Sequence, residues 1–192
     1  MIAWPIAAAA NVGHCASEAQ GSEVGKRMFA LTADHIAVRD MAKSFADARL
    51  APNALHWDET EHFPADVLRE AAALGMAAIY VGEQHGGSGM TRLDAALIFE
   101  ALSTGCPCIA AFLSIHNMVA WVIDGFGSPD LKASYLPRLA SMKLIASYCL
   151  TEPGAGSDAA ALTTRARRDG DAYVLTASSS SSPAPGRAIS IW

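Results

Sequence analysis

Over roughly the first three quarters of the chain, apolar residues return every three or four positions; near its end the spacing changes to every second position. Ile36, Met41 and Phe45 fall on one side of a run that Thr32 is placed to cap and Pro52 closes, which predicts a helix to about Ala48. Pro64 suits a first helical turn, and behind it Val67, Leu68, Ala71 and Leu74 form an apolar stripe ended by Gly75, a natural left-handed residue after a helix end. Thr91-Arg-Leu-Asp94 has the form of a reciprocal cap, in which hydroxyl and carboxylate each satisfy an exposed N–H; Leu93, Leu97, Ile98, Ala101 and Leu102 then share one face. Ser128-Pro129-Asp130 supplies a cap, a first-turn proline and a first-turn acid to another helix, which carries Leu131 and Tyr135 inward until Pro137 bends or ends it.

Between these helices lies Gly105–Ile123, 19 residues with no Asp, Glu, Lys or Arg. That length can cross a bilayer. Ser114, His116 and Asn117 sit at its middle, where a bilayer makes polar groups most costly, and no basic flank sets an orientation. The reading is a buried helix of a bundle, with a membrane span as the alternative. Within it His116 either lines a pocket or is a satisfied core histidine, and Trp121, if fully buried, is worth about 3–5 kcal/mol on truncation to Ala.

After Lys143 the pattern turns extended. Leu144–Leu150 reads as a strand, and so does Ala172–Thr176 after the turn Arg168-Asp-Gly-Asp171. The fold class is mainly α, an N-terminal helical bundle over residues 28–143 followed by the first strands of a β domain over 144–176. Residues 1–27 read as a disordered leader without the basic or Arg-rich pattern of a targeting signal, and 177–192, rich in Ser and Pro, as a tail that buries no core.

Composition narrows the function. A net charge of −5 argues against a nucleic-acid partner, and the basic run Arg165–Arg168 reads as a solvated turn. Four cysteines, with Cys106 and Cys108 separated only by Pro107, fit neither a disulfide framework nor a zinc site. His56-Trp-Asp-Glu-Thr-Glu-His-Phe63 lacks the helical ligand spacing of zinc proteins and reads as a solvated loop packed by Trp57 and Phe63; no metal is expected.

One stretch asks for specific chemistry. Ala146-Ser-Tyr-Cys-Leu150 runs as a strand into Thr151-Glu-Pro-Gly-Ala-Gly-Ser-Asp158. There Pro153 stops ladder pairing, Gly154 and Gly156 permit close backbone approach, and Thr151, Ser157 and Asp158 offer polar groups. Taken alone this reads as an ordinary hairpin corner, since Gly-x-Gly is a weak signal and no helix with phosphate-loop spacing follows. The second glycine-rich stretch, Gly82-Glu-Gln-His-Gly-Gly-Ser-Gly89, reads as a turn between helices.

The whole run Tyr-Cys-Leu-Thr-Glu-Pro-Gly-Ala-Gly-Ser-Asp closely resembles the flavin-contacting signature of the acyl-CoA dehydrogenase family, and matches from about Leu31 to Leu175 keep that family's order. Ser-Ile-His-Asn-Met118 resembles its isobutyryl-CoA branch in particular. The resemblance implies that Tyr148, Cys149, Leu150, Thr151, Glu152, Pro153, Gly154, Ala155, Gly156 and Ser157 lie against FAD, with Thr151 near the isoalloxazine ring and Ser157 also near the substrate thioester. It implies α,β-dehydrogenation of a short branched acyl-CoA, electron-transferring flavoprotein as the oxidising partner, and homo-oligomers. No membrane partner is expected; the location is cytoplasmic in a bacterium and the mitochondrial matrix in a eukaryote. The family's catalytic glutamate belongs to a C-terminal helical domain without counterpart here, so no catalytic base is assigned and the 192 residues alone are expected to be inactive. The tail after Thr176 is read as an out-of-frame translation, because its codons can be chosen to spell Phe-Ile-Ser-Gly one base earlier. The alternative function is a non-catalytic helical interaction module.

Overall fold

The structure, a computed structural model, describes residues 30–170 and 172–178 and the backbone of 188–191. The expected leader lies outside the described residues. Among the described residues six α-helices come first: α1 (Ala33–Phe45), α2 (Ala54–Glu59), α3 (Ala65–Ala73), α4 (Arg92–Ser103), α5 (Pro107–Phe126) and α6 (Pro129–Ala140). Four strands follow, β1 (Ile145–Tyr148), β2 (Arg165–Asp169), β3 (Ala172–Thr176) and β4 (Ala188–Ile191). β1 pairs in parallel with β4, and β2 with β3 in an antiparallel hairpin.

Local chemistry sets the helix ends. Thr91 Oγ1 accepts from the Asp94 N–H while the Asp94 carboxylate accepts from the Thr91 N–H at 2.9 Å, so α4 begins with the reciprocal cap its sequence calls for. Ser128 caps α6, accepting from the Leu131 N–H. α3 ends with Gly75 at φ +80°: the Gly75 N–H donates to the Ala72 carbonyl and the Met76 N–H to the Ala71 carbonyl, closing the paired bonds of a left-handed helix stop. α1 continues beyond Phe45 as a wider turn, Ala46–Leu50, in which the Ala51 N–H donates to Ala46 five residues back.

α5 organises the packing. Its first half, through Ile109, Phe112 and Leu113, joins the larger core with Phe45, Leu50, Leu68, Ile98 and Leu102 from α1, α3 and α4. Its second half, through Val119 and Ala120, packs with Leu136 and Leu139 of α6 and Ala146 of β1 in a smaller one. Each large aliphatic side chain buried in this way contributes roughly 1.5–3 kcal/mol. α5 is long and apolar enough to cross a membrane by length and composition, yet His116 and Asn117 at its centre are fully buried by the protein and fully bonded. Asn117 accepts from the Ile79 N–H at 2.7 Å and donates to the carbonyls of Met76 and Leu113, both at 2.9 Å.

Several expectations are corrected. His56–Glu59 belongs to helix α2 rather than a loop, although Trp57 and Phe63 do pack on the core, and Phe63 meets Phe112 edge to face at 5.0 Å. Ile36, Leu74, Leu93 and Leu131 lie at the outer margins of their stripes and are exposed; in α6 it is Leu136 and Leu139 that turn inward. Pro137 does not end α6, which runs on to Ala140. The condition set for Trp121, full burial, is not met: it is 38% exposed and stacked under the Arg92 guanidinium. Arg165–Arg168 is strand rather than turn, although every residue of β2 faces solvent. Within the tail after Thr176, the backbone of Ala188–Ile191 forms β4.

Candidate functional site

β1 is the route from the bundle to the candidate loop. Ile145, Ala146 and Ser147 are buried, and Tyr148, Cys149 and Leu150 emerge half-buried. Beyond them the backbone folds into a two-residue turn: Glu152 and Ala155 exchange N–H···O bonds at 3.1 Å each way, with Pro153 and Gly154 at the corners. Thr151, Pro153, Gly154, Gly156, Ser157 and Asp158 are exposed, whereas Glu152 and Ala155 are buried.

Glu152 is turned inward and locked. One carboxylate oxygen accepts from the N–H of Thr163 at 2.7 Å and from its hydroxyl at 2.6 Å; the other accepts from the N–H of Thr164 at 2.8 Å and from its hydroxyl. These hydrogen bonds, the Thr163 hydroxyl foremost, hold its pKa at about 2. A carboxylate so fully bonded is a poor proton acceptor, and its role is to clip the loop to the segment entering β2. Thr163 and Thr164 went unrecognised in the sequence. The signal was there as two adjacent threonines ahead of a strand, but their partner lies 11 and 12 residues away.

The two glycine-rich stretches differ physically. A Cβ on Gly87 would collide with the Val81 carbonyl oxygen, and Gly86 and Gly89 take positive φ, so the chain's own turn demands those glycines. At Gly154 and Gly156 a Cβ would meet nothing within 4 Å, and neither takes a positive φ. The fold does not explain them. Their open backbone, flanked by the exposed hydroxyls of Thr151 and Ser157, leaves room for a flat ligand to lie close, which is the fit a flavin ring and its ribityl chain require.

Beside β1 an apolar cleft of about 380 Å³ opens between α5 and α6, lined by Val122, Ile123, Phe126, Leu131, Tyr135 and Ala146 among others. A second cleft of about 340 Å³ lies between α2 and the start of α5, where Asp58, Glu61 and His62 stand with Cys106 and Cys108. Among the described residues no three His, Cys, Asp or Glu side chains are grouped to share a metal ion. His116 lines neither cleft and is a core histidine with both ring nitrogens bonded.

Among the described residues, a helical bundle hands its chain through a buried strand into an open glycine loop, the arrangement of a helical domain followed by strands of a β domain. The sequence pattern of the family described as "Acyl-CoA dehydrogenase, N-terminal domain" matches residues 32–143, more than half of the chain. This chain belongs to the acyl-CoA dehydrogenase family. It is 52% identical over 148 residues to the mitochondrial isobutyryl-CoA dehydrogenase of Dictyostelium discoideum, covering 77% of this chain and 36% of that one. It is 50% identical over 138 residues to the mitochondrial isobutyryl-CoA dehydrogenase of Bos taurus, covering 72% and 33%. The fold is similar to a solved FAD complex of PigA, with TM-score 0.72 and 33% identity over 78% of this chain and 40% of that one. The chain thus spans about a third of the length of the curated relatives it matches.

Proposed function

We propose that these residues form one wall of the flavin and substrate site of an FAD-dependent dehydrogenase acting on a short branched acyl-CoA such as isobutyryl-CoA. The observation that carries the reading is the open Gly154–Gly156 backbone, unexplained by the fold, in a chain half identical to isobutyryl-CoA dehydrogenases. Tyr148–Ser157 would hold the cofactor, with Gly154 and Gly156 letting the backbone approach it, Thr151 bonding near the ring and Ser157 serving cofactor and substrate. Bound there, FAD supplies the acceptor for the hydride that leaves the acyl β-carbon. The chain's part is to orient the ring and to exclude water from one side, which strengthens every polar contact within the cleft. Glu152 keeps the loop in shape and takes no proton. Electron-transferring flavoprotein reoxidises the flavin, the assembled protein is a homo-oligomer, and its site of action is the mitochondrial matrix in a eukaryote or the cytoplasm in a bacterium.

Of the loop's carboxylates, Glu152 has both oxygens bonded and Asp158 stands exposed to solvent beside Ser157, so neither is assigned as the base, and residues 1–192 by themselves are expected to turn nothing over and to bind FAD weakly. Two measurements test this. Micromolar FAD titrated with the chain loses fluorescence, and Gly156→Val, which fills the open backbone without touching the helices, abolishes the loss; an unchanged titration in that variant counts against the flavin wall. Isobutyryl-CoA with an artificial electron acceptor gives no turnover above a no-protein control, and turnover would refute the assignment of the base to residues outside 1–192.

A further inference from the structure

His116 is fully buried, and its ring joins two backbone groups on different elements. Nε2 lies 3.1 Å from the Leu139 carbonyl oxygen, which can only accept, so Nε2 carries the proton. Nδ1 is therefore the lone-pair nitrogen, and the Ala146 N–H donates to it at 3.1 Å. Burial holds the imidazole pKa below its ordinary range, which preserves that neutral tautomer. The ring thus ties the centre of α5 to the last turn of α6 and to the second residue of β1, two positions before Tyr148.

We infer that His116 is a positioning residue for the flavin-facing run, its Nδ1 selecting which residue of β1 stands against α5. The inference rests on the flavin reading of Tyr148–Ser157. A strand shifted by one residue turns every side chain to its opposite face. With β1 slipped by one, either the Ile145 or the Ser147 N–H would have to meet the ring, and Ala146, now packed with Val119 and Leu139, would leave the smaller core. A buried acceptor that satisfies only the Ala146 N–H penalises both slips, because each leaves a buried donor misaligned. The same bond sets the height at which the chain leaves the bundle and so where Tyr148, Thr151 and the open glycines are presented. The imidazole suits this because its donor and acceptor sit apart on a rigid ring, able to reach two backbones at once.

Asparagine and glutamine separate the two bonds. His116→Asn places an amide oxygen where Nδ1 stands, but its shorter side chain cannot reach the Leu139 carbonyl; His116→Gln instead places an amide nitrogen where Nε2 stands. Amide exchange in the 192-residue chain is compared at Ala146, Ser147 and Tyr148 against α4 amides as an internal reference. His116→Gln is expected to speed exchange at the three β1 amides by about tenfold, an ordinary hydrogen bond lost. His116→Asn should leave them within about threefold. Equal acceleration in both variants, or none in either, overturns the inference, since a ring that merely fills space does not distinguish them. Nitrogen-15 spectra of the wild-type ring stand apart from any variant's folding: the Nε2–H tautomer is expected, and the Nδ1–H tautomer overturns the inference. An FAD titration alongside separates the two claims. Unaltered flavin fluorescence with wild-type chain counts against the flavin wall, whereas the exchange ratios decide whether His116 positions β1.

Discussion

The bundle and the hairpin solve the same problem with opposite success. α5 buries eight of its residues and finds a partner for every polar group at its centre, whereas every residue of β2 and β3 faces solvent. Cross-strand pairing places Ala166 beside Leu175 and Arg168 beside Tyr173, a partly apolar face with nothing over it among the described residues. A lone two-stranded hairpin is marginal in water, while helices that close a common core stabilise one another. The difference teaches where stability resides: in α1 and α3–α6, with the hairpin attached through the Glu152 clip.

Substitutions in the bundle and in the hairpin should differ sharply in cost. Leu113→Ala, at a fully buried position in the larger core, is expected to cost about 2–5 kcal/mol in the urea unfolding midpoint. Asn117→Ala strips the Ile79 N–H and the Met76 carbonyl of their partner and should cost about 2–4 kcal/mol by the same measurement. Trp121→Ala should cost only about 1 kcal/mol, because the indole is a surface stack with Arg92 and Phe126 and not core. Leu175→Ala, 53% exposed in β3, should fall within about 0.5 kcal/mol of wild type. A hairpin variant as costly as Leu113→Ala would show that the two regions fold as one.

Acid acts on the two regions in sequence. His116 and Glu152 both have lowered folded-state pKa values, so the unfolded chain binds more protons at each, and their stabilisation is complete above the unfolded values and lost as pH falls. The His116 contribution weakens below its ordinary 6.5, and that of Glu152 declines between 4.5 and about 2. The amide proton shifts of Thr163 and Thr164 should accordingly titrate near pH 2; a midpoint near 4.5 would mean that the clip is open in solution.

What the sequence disclosed was what is local. The Thr91–Asp94 cap, the Ser128 cap and the Gly75 stop are each complete within four to six residues, and each forms as its residues require. The depth of a side chain is decided by neighbours distant in sequence, which is why the apolar stripe of α6 does not reveal that Leu131 is exposed. The partners of His116 lie 23 and 30 residues away, and those of Asn117 reach back 38 and 41, so composition could mark these polar groups in α5 but not say what they hold. At the candidate site the run Tyr148–Ser157 was legible as a motif. The inward turn of Glu152, and the contrast between glycines the fold needs and glycines it does not, arise only from residues brought together in space.

A self-sufficient helical bundle presents an open run that we propose faces the flavin. Amide hydrogen exchange of the chain with and without millimolar FAD tests it most directly. The account predicts slow exchange throughout α1 and α3–α6 in either condition, fast exchange in β2 and β3, and added protection with FAD confined to Tyr148–Ser157 and the segment it joins at Thr163–Thr164. Protection appearing instead at Gly82–Gly89, or helices that exchange as fast as the hairpin, would contradict it.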